Sequence, residues 1–115
     1  MLLAATTVAA LLIANPSLSN ADRIAANGGF LLGNADRCGV AADRIVKAGQ
    51  LVRGLIAAAT ADGGGQARAT KRFTVFFLAS ALADPTKGPV ASCKIVASEL
   101  ARLEQHPMKA AGAGG

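Results

Sequence analysis

Apolar and polar positions alternate along this chain with the period of a helix, and the breaks between periodic stretches outline its organisation. The clearest stretch runs from Ala41 to Thr60. There Ile45, Ala48, Val52, Leu55, Ile56 and Ala59 recur at steps of three and four, while Asp43, Arg44, Lys47, Gln50 and Arg53 fall elsewhere. Asp43 and Lys47, four apart, stand in the favourable order for a weak surface pair. The run Asp62-Gly63-Gly64-Gly65 reads as a connector.

A further helix is expected over Gln66–Ala83. It carries one stripe of Phe73, Phe76, Phe77 and Ser80 and a second of Val75, Leu78 and Leu82. Two stripes cover more than half the circumference, which predicts that this helix is central. Asp84-Pro85-Thr86-Lys87-Gly88-Pro89 is a turn, with Pro89 placed to open a last helix over Val90–Gln105. On that helix Cys93, Val96, Ala97, Leu100 and Leu103 share a face, and His106-Pro107 is expected to stop it.

The segment Ile24–Cys38 is less regular. Gly28-Gly29 predicts a short helix from about Gly29 to Arg37, preceded at most by a frayed turn, and Gly39 is a stop signal. Asn-Ala-Asp-Arg occurs at 20–23 and 34–37, and Ala-Asp-Arg at 42–44. The glycines between these copies argue against a continuous heptad repeat, which leaves chance in an alanine-rich sequence.

Ahead of all this lies Leu2–Ala14, an uncharged apolar run of thirteen residues broken by Asn15-Pro16. A membrane-spanning helix needs roughly 20 such residues, so the run does not span. It fits the apolar region of a secretory signal, with Ser19 and Ala21 at the −3 and −1 positions of a cut before Asp22. No Lys or Arg precedes it, which departs from the usual signal, and the competing reading is an N-terminal core helix ending at Pro16. The division expected is a signal peptide over 1–21, a helical domain over 22–107 and a soft tail over 108–115. Exported, periplasmic or secreted, is the localisation that follows.

Composition sharpens the fold class. Hydrophobic residues make up 52% of the 115, but much of that is alanine, and aromatics are 3%. Such residues favour helices and build a thin core. The expectation is an all-α bundle of three to four helices. A thin core benefits from a covalent link, and Cys38 and Cys93 are the two cysteines present. In an exported chain they read as a disulfide, closing a loop of about 56 residues that the chain-entropy model values at roughly 4 kcal/mol. Two buried thiols, or a reactive Cys93 beside Lys94 near a helix N-terminus, are the competing readings.

Candidate chemistry is sparse. His106 would lie roughly 20 Å along a helix from Cys93, too far to share a metal with it. Glu99 and Glu104 point to different faces, Ser80, Ser92 and Ser98 have no neighbouring base, and Gly63-Gly64-Gly65 lacks the Lys-Ser/Thr of a phosphate loop. No catalytic, cofactor or metal site is therefore expected, and the enzyme class comes last. The net charge is +5, and Arg68, Lys71 and Arg72 form the densest basic cluster. They read either as a contact for an acidic partner or anionic surface, or as a solubilising face. The absence of Trp and Tyr and the scatter of the other basic residues argue against nucleic acid.

In size, helicity and a single wide disulfide the chain is similar to the small periplasmic acid-stress chaperones of bacteria. The likeness is one of architecture, with no shared motif, and it implies a holdase as an alternative role. The leading expectation is a non-enzymatic protein-interaction or structural module of the cell envelope. It would act through an apolar face at Phe73, Phe76 and Phe77 or as a homo-oligomer. A cytosolic nucleic-acid binder is the third reading, should residues 1–21 be retained.

Overall fold

Ser19 opens the first helix. Its side chain accepts the backbone N–H of Asp22 at 3.1 Å, satisfying one of the donors that a helix start leaves over. From there α1 runs unbroken over Asn20–Arg37, α2 over Ala42–Ala59, α3 over Gly63–Ala81 and α4 over Cys93–Gly114. The computed structural model describes residues 19–86 and 90–114, with side chains as far as Gln105. Among these residues there is no strand, and the architecture is an all-α bundle of four helices. The signal-like run Leu2–Ala14 and the Pro89 helix start lie outside the described residues.

The first correction concerns α1. Gly28 and Gly29 do not break it; they are buried inside an eighteen-residue helix. A Cβ on Gly28 would lie 2.8 Å from Val52 Cγ1 of α2, and one on Gly29 would lie 2.5 Å from the Phe73 carbonyl oxygen of α3. One turn on, a Cβ on Gly33 would collide with the Phe77 carbonyl oxygen and the Ser80 Cβ. Packing therefore offsets the roughly 1 kcal/mol that glycine costs inside a helix. It also places both copies of Asn-Ala-Asp-Arg on one continuous helix, four turns apart.

A second correction follows. The central helix is α1, which packs on α3, α2 and α4, its most extensive contact being with α3. Only Ala69 and Ser80 of α3 are fully buried, so its second apolar stripe faces outward. The core is made of small and aliphatic side chains, Ala21, Ala25, Leu32 and Ala35 from α1 against Val52, Ile56, Val96 and Leu100. On α2, Ile45, Ala48, Val52 and Ile56 of the expected face are buried and Leu55 is half-buried.

The helix ends obey local chemistry. Gly39, at φ +85°, closes α1; its N–H donates to the Asp36 carbonyl and that of Val40 to the Ala35 carbonyl, a left-handed cap that favours glycine. The glycine run expected as a connector is instead the first turn of α3. Asp62 Oδ1 accepts the Gly65 N–H at 2.6 Å and caps that turn. Asp84 accepts both the N–H and the hydroxyl of Thr86, forming the expected turn. Ser92 accepts the Ile95 N–H at 3.2 Å, so α4 starts at Cys93 rather than at Val90. Its helical backbone continues past Pro107 to Gly114, through alanines at 110, 111 and 113 that rank highest in helix propensity.

These contacts set opposite signs for two like substitutions. Gly33→Ala forces a Cβ against α3 backbone and is expected to destabilise by about 1–3 kcal/mol. Gly54→Ala, in α2 with nothing within 4 Å of its Cβ position, is expected to stabilise by about 0.5–1 kcal/mol. Urea unfolding of both variants checks the contrast; equal effects would show that the α1–α3 approach is not as close as described.

Candidate functional site

Cys38 is the C-cap of α1 and Cys93 the first residue of α4. The Gly39 cap turns the chain there, and the two sulfurs bond at 2.09 Å with the Cα atoms 5.7 Å apart. No free cysteine remains. Beside the bridge, Arg37 donates to the Ala91 carbonyl at 2.6 Å and to Asn34 Oδ1 at 3.0 Å. Asn34 is buried and donates in turn to the Phe30 carbonyl at 2.8 Å, so this interior polar group is satisfied. Together these groups fasten the start of α4 to the end of α1.

A second tie joins α4 to α2. The Arg44 guanidinium donates to both Glu104 oxygens, at 2.7 and 2.9 Å. These hydrogen bonds hold the Glu104 carboxyl below its ordinary pKa and raise that of Arg44. Asp43 and Lys47 form no ion pair among the described residues; their neighbour Arg44 makes the cross-helix bond.

The basic cluster of α3 is divided by the fold. Arg68 and Arg72 flank the buried carboxylate of Asp22, with Nε–O distances of 3.8 and 3.6 Å. These are charge contacts outside hydrogen-bond reach, and Asp22 also sits in the first turn of α1, where the positive end of the helix dipole favours a negative charge. Lys71 forms no ion pair with Asp22 and stays exposed. The carboxylate partner, 46 positions upstream of Arg68, could not be identified from sequence spacing.

The phenylalanines are divided as well. Phe73 and Phe77 pack against the core with ring centroids 6.2 Å apart, and Phe76 is half-buried against Gly29. The exposed large apolar groups of α3 and its C-cap are Val75, Leu78 and Leu82. Val46 of α2 stands beside Leu78 across a shallow groove of about 220 Å³. A larger groove of about 840 Å³ opens between α1, α2 and α4. Ile24, Leu31, Leu55 and Leu103 line it, Phe30 and Ile95 project from its edges, and the Glu99–Arg102 pair closes one side.

Chemically these surfaces can take up apolar groups. Among the described residues no three His, Cys, Asp or Glu side chains gather where they could hold a metal ion. No described helix is long and apolar enough to cross a membrane. No protein-family model, curated protein or solved structure matches the chain.

Two measurements follow. Reducing the Cys38–Cys93 bridge is expected to cost about 2–4 kcal/mol in urea unfolding, a loss that the Cys38→Ser/Cys93→Ser variant reproduces. Glu104→Gln is expected to lower Tm at pH 7. Because the folded pKa lies below the unfolded one, the stabilisation is present above the unfolded value and disappears as pH falls through the folded one. Wild type and variant should therefore converge in melting scans as the pH falls below the folded pKa of Glu104, and a gap that persists once that carboxyl is protonated would show that the bridge is not its source.

Proposed function

We propose that this chain is an exported, non-enzymatic interaction module of the cell envelope. In this reading the disulfide-tied bundle is a scaffold and its exposed apolar surfaces meet other proteins. The observation that carries it is the exposure, among the described residues, of six large apolar side chains, Phe30, Val46, Val75, Leu78, Leu82 and Ile95, on an alanine-rich chain. A soluble helical domain ordinarily turns such groups inward, and apolar patches left at the surface mark interaction sites. The capture of Arg68 and Arg72 by Asp22 supports placing anionic surfaces and nucleic acid behind a protein partner.

Export is supported by the apolar run Leu2–Ala14 and by the disulfide, a bond characteristic of oxidising compartments. A cut before Asp22 would remove the Ser19 cap and the buried Ala21. Loss of such a cap costs about 1 kcal/mol and loss of a buried methyl about as much again. The disulfide, worth roughly 4 kcal/mol by loop closure, lies outside the segment removed and is kept in the trimmed chain.

Intact mass of the protein from its native host, with and without a thiol-blocking reagent, is the test. The expected species begins at Asp22, is two hydrogens light and does not react. A species that retains residues 1–21 with two free thiols overturns the export reading.

A further inference from the structure

The outer face of α3 has a pattern that the core does not explain. Val75, Leu78 and Leu82 follow one another at steps of three and four, the spacing of a coiled-coil seam, and Lys71 continues the line one step earlier. At about 100° per residue this line lies opposite Ala69 and Ser80, the two α3 residues buried against the bundle. Val75 is 56% exposed, Leu78 51% and Leu82 80%, and Val46 of α2 extends the patch at 59%. Thr74, Ala79 and Ala81 flank the line with short side chains. From Phe73 to Ala83 there is no charged residue to keep this face in water.

We propose that a second copy of this chain covers this face, with the two α3 helices antiparallel about a two-fold axis near Leu78. The charges at the two ends of the line choose the partner and the direction. Lys71 stands on α3 seven residues before Leu78, and Asp84 six residues after it, in the turn that follows the helix. Both are exposed, and neither forms an ion pair among the described residues. Antiparallel pairing brings each Lys71 near the Asp84 of the other copy, twice by symmetry, whereas parallel pairing sets like charges together. Hydrogen bonds from Thr86 hold the Asp84 carboxyl below its ordinary pKa. In this arrangement each helix dipole also opposes that of its neighbour. Val75 then meets Leu82 of the second copy and Leu78 meets its own symmetry mate, while the short flanking residues allow the helices to approach. An isologous contact of this kind closes at the dimer.

The inference rests on the interaction role proposed above but not on export. A chain found in the cytosol would sink the localisation alone, and a strictly monomeric chain would sink this inference alone. The test is sedimentation velocity on the oxidised protein from 1 to about 300 µM, with a dimer Kd expected on the order of 10 µM for a contact of this small class. Leu82→Glu is expected to weaken the dimer at least about a hundredfold, with Leu78→Gln as a second variant that adds no charge. Circular dichroism checks that both remain folded. Lys71→Glu and Asp84→Lys should each raise Kd about tenfold, and the double exchange should restore it. A wild type that stays monomeric at the highest concentration overturns the proposal. So does a dimer indifferent to Leu82→Glu and Leu78→Gln, or a charge exchange that fails to restore association.

Discussion

The fold depends on the near-contact of two helix backbones. Along α1, Gly29 and Gly33 stand one turn apart and present no side chain to α3. The carbonyl oxygens of Phe73 and Phe77 therefore come as close to α1 as a Cβ would otherwise sit. Gly28, on the adjacent side of α1, receives Val52 of α2 in the same way. Such proximity lets short side chains fill the interior. Ala25, Ala35, Ala48 and Ala69 are fully buried, and the space between helices closes around them instead of being filled by large residues. An aromatic-poor, alanine-rich sequence can form a packed bundle only by bringing its helices this close, because dispersion contacts fall away quickly with separation.

That constraint also decides what is left outside. Because α3 is seated through its backbone and its Ala69–Ser80 side, its phenylalanines spread along the flanks of the contact and its second apolar stripe turns to solvent. The remaining helix, α4, packs on α1 and α2 and is held at two points. One is the disulfide with the adjacent Arg37–Ala91 bond, and the other is the Arg44–Glu104 pair. Between those ties the larger groove lies open, lined by aliphatic side chains. The ties lie at the two ends of this packing, and apolar surface is displayed between them. It is this displayed apolar surface that the proposed interaction role would use.

Much of this could be read from residue order. The α2 face, the Gly39 stop, the Asp84 turn and the all-helical class each follow from local signals, since periodicity and capping need no knowledge of distant residues. Two cysteines allow a single intrachain pairing, and that bond is the one the structure shows. Less legible were features whose cause lies elsewhere in the chain. Glycines inside a helix read as breaks until the helix they accommodate is known. The three-glycine run before Gln66 is a different case: its Asp62 cap is local, but the low helix propensity of glycine makes the run read as a linker. Arg68 and Arg72 read as a free basic face because Asp22 is remote in sequence.

The sequence by itself therefore determined the class of fold and the periodic apolar stripes, and it limited any intrachain disulfide to Cys38 and Cys93, all properties set within a few turns or by residue type. Only the tertiary structure decided which helix is central and which apolar stripe is buried. Those outcomes depend on which backbones can approach most closely, and that is a relation between α1 and α3 rather than a property of either helix alone.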